Sequence, residues 1–222
     1  GCSFFRDRLV VFRSGSLSAS LKAGDNGEYH NHNDLGHFSV WYKDMPLVID
    51  VGADVYTKKY FSDERYTLWN TRGKGHNAPV FDGLEQQEGK QYSATLSLEP
   101  GSEKVAVCDL SRSYPKQAGV IGFSRTMRFA SDRVSVEDRF QLRQARKARI
   151  HLLCAIPPRI DGRRILFDEV ALELENLECV SQRKVNTPKA WSAILPDCSI
   201  TELVLEATAE QYRMGFSAPE KK

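Results

Sequence analysis

Short runs rich in β-branched and aromatic residues recur along the whole chain, each closed by a turn signal, and this rhythm constrains the fold more than any other feature. The candidate strands are residues 8–12, 16–22, 37–42, 47–50, 92–98, 104–110, 122–129, 133–140, 149–155, 170–174, 191–195 and 200–207. From Arg133 to Val136 polar and apolar residues alternate, and Ala130, Ser131 and Asp132 before them read as a hairpin turn. About a dozen strands with no long helical period predict an all-β fold, a large antiparallel sandwich of stacked sheets. At 222 residues, 41% of them hydrophobic, the whole of 1–222 is expected to share one core.

Charge excludes little but also demands little. The 31 basic and 29 acidic residues leave a net +2, which by itself calls for neither nucleic acid nor a membrane surface. No apolar run is long enough for a membrane-spanning helix. Five cysteines, Cys2, Cys108, Cys154, Cys179 and Cys198, form no CxxC pair, and VAVCDL and HLLCAI read as strands with a small buried hydrophobe. The chain opens on Gly1 and soon enters strand-like RLVVF, so it is read as starting at an internal cut or processed end; the missing signal peptide leaves the compartment open.

One stretch departs from the rhythm. From Val51 to Asn77 the chain is rich in aromatic and charged residues without a period of two, and so long a connection in a compact domain points to function. Four of the five histidines, His30, His32, His37 and His76, lie between residues 30 and 76, three of them within YHNHNDLGH. If that segment is extended, His30 and His32 share one side. Asp50 closes the apolar run PLVID, and His76 ends the long loop. Two imidazoles and a carboxylate from three distant segments suit a transition metal, zinc before magnesium or calcium, although no local pattern such as HExxH is present. Any one of these histidines taken alone is read as bonding loop backbone; the cluster is read as a metal site of His32, Asp50 and His76.

His30 has a separate reading. A cation held by His32 on the same side disfavours its protonation and leaves a neutral imidazole, a candidate general base; a fourth ligand or a buried hydrogen-bonding residue is the alternative. Around the cluster lie Lys58, Lys59, Arg65, Arg72 and Lys74 with Tyr56, Tyr60, Tyr66 and Trp69. Cations suit carboxylate or sulfate and flat rings suit sugar faces, so the mixture points to an acidic carbohydrate, against the alternative of a solvated loop whose rings pack on the sandwich. Tyr66, Arg72 and Asn33 are taken as the substrate contacts. Asn33 and Asp34 could instead orient His32 or form a turn before Gly36, and the basic run 141–150 is read as a solvated turn.

The segments GEYHNHNDLGHFSVWYKDMPLVIDVGADVY and RYTLWNTRGKGHNAPVFDG resemble the C-terminal sandwich domain of heparinase II/III-like polysaccharide lyases, over roughly residues 24–83. The resemblance implies β-elimination at a uronic acid, as in glycosaminoglycan or alginate degradation. It places the catalytic histidine of the HxH pair at His30 and the ligands of a structural zinc at His32, Asp50 and His76. An acidic polysaccharide is the implied partner, and a periplasmic or secreted setting is expected. An α/α toroid ahead of the sandwich normally supplies a catalytic tyrosine and a carboxylate-neutralising residue; without it this chain is expected to show little lyase activity. A non-catalytic carbohydrate-binding module and a metal hydrolase with an open zinc position are the alternatives.

Overall fold

The computed structural model describes residues 1–5, 8–130, 132–186 and 199–219. Among them eighteen strands form two sheets. In chain order they are β1 (Cys2–Phe5), β2 (Leu9–Ser14), β3 (Leu17–Lys22), β4 (Gly24–Asn26), β5 (Phe38–Tyr42), β6 (Met45–Val48), β7 (Pro79–Phe81), β8 (Gly89–Leu98) and β9 (Lys104–Arg112). They continue as β10 (Val120–Phe129), β11 (Arg133–Leu142), β12 (Ala148–Cys154), β13 (Arg159–Asp161), β14 (Arg164–Phe167), β15 (Val170–Glu175), β16 (Leu177–Lys184), β17 (Thr201–Ala207) and β18 (Gln211–Ser217). The first sheet runs β1-β2-β3-β5-β6-β12-β17-β16, with β7 also paired to β12; the second runs β13-β14-β15-β18-β11-β10-β9-β8-β4. Every pairing is antiparallel, and the expected stacked sandwich is what the chain forms.

Alternation explains why these segments pair as they do. In β3 Leu17, Ala19 and Leu21 are buried, and in β5 Phe38, Val40 and Tyr42 are, while the residues between them stay partly exposed. One large apolar cluster between the sheets collects these inward rows together with Phe123, Met127, Val134, Val136, Leu172, Leu203, Leu205 and Phe216. Cys108 and Cys154 belong to it, and burial pushes the Cys108 thiol up to about 12, which makes it a packing residue. Strands β10 and β11 pair antiparallel from Phe129↔Val134 onward, and Ser131 of the expected hairpin turn lies outside the described residues. Basic segment 141–150 spans the β11 to β12 connection.

Several expectations change. Strands β1, β4, β7, β13, β14, β16 and β18 lie outside the predicted runs; several are only three or four residues long, too short for an alternation to register. The run 191–195 falls outside the described residues. Strand β6 ends at Val48, so Asp50 stands just past its end, although the Ile49 N–H still donates to the Leu153 carbonyl at 2.9 Å. The long segment after Val51 contains four 3-10 turns, Lys58–Phe61, Arg65–Thr67, Trp69–Thr71 and Gly73–Gly75. This stretch covers the outer face of the first sheet, where Ile49, Val51, Leu153, Ala155 and Ile200 form a second apolar cluster with Trp69 packed on it. That is why LLCA, from Leu152 to Ala155, is apolar without a break: Leu152 and Cys154 face the main core while Leu153 and Ala155 face the loop. Among the described residues no helix is long and apolar enough to cross a membrane.

Candidate metal centre and adjoining histidine

Two crossings between the sheets build the site. The chain leaves the first sheet after β3, adds β4 to the second, and returns to β5 through the histidine segment. Later it re-enters the first sheet at β7 directly after His76 and Asn77. Asp50, just past β6, completes the meeting.

At that meeting one donor atom each from His32, Asp50 and His76 lies within 4.8 Å of the other two. His76 is fully buried, its Nδ1 stands in an ion pair 3.4 Å from Asp50 Oδ1, and among the described residues neither of its ring nitrogens makes a hydrogen bond. Buried ring nitrogens that make no hydrogen bond are costly, and the ion pair with Asp50 serves only one of the two. A cation between the three groups removes that cost, and two imidazoles with one carboxylate are a donor set suited to zinc.

The protonation states agree with this chemistry. Burial, with His76 adding to it, lowers His32 to about 4, so it is neutral and able to donate a lone pair at neutral pH. Burial opposes charge on both members of the Asp50–His76 pair, yet their mutual attraction outweighs it: Asp50 is held well below the usual carboxylate range, helped by the Gly52 N–H, and His76 is raised.

His37, left unassigned by spacing, stands behind this set. Its Nε2 lies 3.8 Å from Asp50 Oδ2 and 3.2 Å from Ser39 Oγ, and its Nδ1 accepts the Asn77 N–H at 3.2 Å. That acceptor role puts the proton of the neutral ring on Nε2, facing the carboxylate. Burial lowers His37 to about 4, against the opposing pull of Asp50. Asn77 is a buried clip: its Nδ2 donates to the carbonyls of Phe38 (2.8 Å) and Ile49 (3.1 Å), and its Oδ1 accepts the Leu153 N–H (2.8 Å).

His30 does not share a side with His32. Gly27 packs so tightly on Lys90 that a Cβ there would lie 2.6 Å from its backbone nitrogen, and His30 itself adopts φ 58°, so the segment turns instead of extending. Left-handed backbone at a residue other than glycine is uncommon and concentrates at functional positions. His30 is exposed, with its ring edge-on to Tyr56 (6.4 Å) and Phe61 (6.0 Å). Both of those rings are largely exposed, as are Tyr29 and Val55, so His30 sits in an open aromatic rim.

The residues expected to meet substrate divide. Arg65 is 8% exposed and spends its guanidinium on backbone: the carbonyls of His30 (2.8 Å), Asn31 (2.9 Å) and Tyr60 (2.9 Å). It fixes the histidine turn. Tyr60 is buried, its hydroxyl accepting from the Asp54 N–H and Asn70 Nδ2. Asn33 is buried as well, its Nδ2 donating to the Gln86 carbonyl at 3.4 Å and its N–H to the Thr71 carbonyl at 2.9 Å. Tyr66 is half-buried and donates to Asn31 Oδ1 at 2.6 Å. Arg72 is 42% exposed and pairs with Glu85, which also accepts the Lys74 N–H at 3.0 Å. Asp34 pairs with Lys22 at 2.6 Å. Missed by sequence reasoning were Asn77, Gln86 and the buried pair Arg125 and Asp138. For the last pair a signal exists, since both stand in phase with the apolar residues of their strands.

A two-sheet antiparallel sandwich carrying a partly buried histidine and aspartate cluster at a crossover defines the class: a large β-sandwich domain with a candidate metal centre. The profile of the family described as Heparinase II/III-like, C-terminal, matches residues 8–210, and the chain belongs to that family. No curated protein matches the sequence. Among solved structures, heparan sulfate lyase HepC from Pedobacter heparinus superposes with a TM-score of 0.72 at 18% identity, covering 97% of this chain and 36% of that one. A heparinase III gives 0.72 at 12% identity, covering 100% and 37%. A putative mutarotase from Salmonella typhimurium gives 0.51 at 11% identity, covering 99% and 93%. The chain thus spans about a third of the length of the lyases it matches.

Proposed function

We propose that this chain is the sandwich domain of a polysaccharide lyase that cleaves uronic-acid-containing polymers by β-elimination, with His30 at the substrate face and a structural zinc held by His32, Asp50 and His76. The observation that carries the metal is the buried His76 imidazole, whose nitrogens make no hydrogen bond among the described residues, within 4.8 Å donor spacing of His32 and Asp50. An ion there supplies cohesion, tying the histidine segment, the end of β6 and the end of the long loop. His30 stands outside that set, on the exposed side of the same turn, where Arg65 holds its carbonyl and aromatic rings flank it. An imidazole so placed can carry a proton to or from a sugar bound on the rim. In the reaction that the resemblance implies, the C5 proton beside the carboxylate is removed, the resulting enolate-like charge is neutralised, and the C4 oxygen departs with a proton. The tyrosine and the carboxylate-neutralising group belong to the expected helical domain, so the 222-residue chain alone is proposed to be inactive.

Elemental analysis of protein purified without added metal should find about one zinc per chain, and no bound transition metal would sink the triad. His32→Ala should abolish that zinc and lower the melting temperature; zinc at 100 times its Kd contributes about 2.7 kcal/mol to the wild type. For the reaction, a protein joining this domain to its helical partner, incubated with a uronate polymer, should release products with a new ultraviolet-absorbing double bond. Turnover unchanged by His30→Ala removes His30 from the mechanism.

A further inference from the structure

Strand β10 reads FSRTMRF from Phe123 to Phe129, and its inward row is Phe123, Arg125, Met127 and Phe129. On β11 the inward row is Val134, Val136, Asp138 and Phe140. Arg125 and Asp138 are direct partners in the ladder, Tyr212 of β18 faces Asp138 on its other side, and all three side chains are buried. Arg125 Nε and Nη2 grip the two carboxylate oxygens at 2.7 and 2.6 Å, and the Tyr212 hydroxyl donates to Asp138 Oδ2. The second sheet thus holds a cation in the middle of an apolar core, where ionic groups stand only when fully bonded.

What the guanidinium does with its remaining nitrogen is the informative part. Nη1 crosses to the first sheet and donates to two carbonyls, Asn77 at 2.7 Å and Gly36. Asn77 follows His76, and Gly36 precedes His37 in the segment that begins with His30 and His32. The guanidinium also lies 5.1 Å from the Phe38 ring centroid, so it is held on the apolar side too. One planar group, locked in orientation by Asp138, therefore sets the separation of the two loops that carry the histidines.

We infer that Arg125 is a positioning residue of the metal centre: from the opposite sheet it ties the Gly36 and Asn77 peptides together and so fixes His76 and His37 relative to the His32 segment. The inference rests on the metal reading above. A buried ion pair need not stabilise a fold, and replacing one with apolar side chains of similar volume is often neutral or stabilising. Its role here is placement of the site, one step behind the ligands; loss of groups that orient ligands typically weakens metal binding about 10- to 100-fold.

The test uses the 222-residue chain. Zinc affinity is measured by competition with a chromophoric chelator, and apo stability by urea denaturation in excess chelator, for wild type, for Arg125→Met with Asp138→Leu, and for Arg125→Lys. The double variant keeps the core apolar and filled; the lysine keeps a cation for Asp138 but lacks the planar fork that bridges two carbonyls. The expected result is a folded apo protein with zinc affinity at least about tenfold weaker in both variants. A folded variant of either kind with wild-type affinity overturns the inference and leaves the metal reading standing. Wild type that binds no zinc overturns the metal reading, and this inference with it.

Discussion

Asn77 sits where β5, the end of β6 and β12 meet, and truncating it to alanine is the sharpest probe of how the site is held. The side chain accepts one backbone N–H, from Leu153, and donates to two backbone carbonyls, those of Phe38 and Ile49. Asn77→Ala leaves all three groups without that partner where no water reaches, since Asn77 is 0% exposed. At about 1–3 kcal/mol for each orphaned buried group, and allowing for partial relaxation, the loss should be about 3–6 kcal/mol. In a chain of this size that lowers the melting temperature by roughly 6–24 °C. Urea denaturation with excess chelator isolates the effect from metal binding. Asn77→Asp supplies the sign test: its carboxylate can still accept from Leu153 but faces two carbonyl oxygens, and the nearby Arg125 is already paired with Asp138, so burial should raise its pKa. At pH 7 it should therefore be less stable than Asn77→Ala, and should recover part of the difference as the pH falls and the carboxyl protonates. A loss below about 1 kcal/mol in Asn77→Ala, or an aspartate variant more stable than the alanine one at pH 7, would refute the clip.

Metal-free protein should lose stability on acidification. His32 and His37 are lowered in the fold to about 4 from an ordinary 6.5, so the folded state prefers them neutral; their contribution is intact above about pH 6.5 and is lost as the pH falls toward 4. For fully buried His37 the shift corresponds to at most about 3 kcal/mol. His76, whose pKa is raised, offsets part of the loss. Urea curves of chelated protein at pH 7.5 and 4.5 measure the difference, and equal midpoints would contradict the assignment. Gly75→Ala places a Cβ 2.3 Å from the Trp69 carbonyl oxygen and 2.9 Å from Asn70 Cα, so backbone must move one residue from His76. The expected cost is about 1–3 kcal/mol together with weaker zinc binding, read by denaturation and by chelator competition.

The fold was legible where alternation is long. Leu17, Ala19 and Leu21, or Val134 and Val136, declare an inward row by period alone, and the sandwich follows. Strands as short as Gly24–Asn26 or Pro79–Phe81 carry no such period, and they form because a longer neighbour offers them backbone partners. Within the site, residue chemistry singled out His32, Asp50 and His76, which the fold brings together. It failed for Arg65, whose charge suggested an anionic ligand but is spent on three loop carbonyls, because only packing decides whether a guanidinium meets solvent or backbone.

By itself, then, the sequence determined the class of fold and which residues stand as candidate donors, since periodicity and ligand chemistry are properties of residues and their neighbours along the chain. Tertiary structure decided the rest. It turned His30 outward at φ 58° while His32 went toward Asp50, laid the long loop over Leu153 and Ala155, and placed Arg125 of one sheet behind the histidines of the other. Those outcomes depend on contacts between residues tens of positions apart, set by strand register and the two crossings between sheets, which no local pattern encodes.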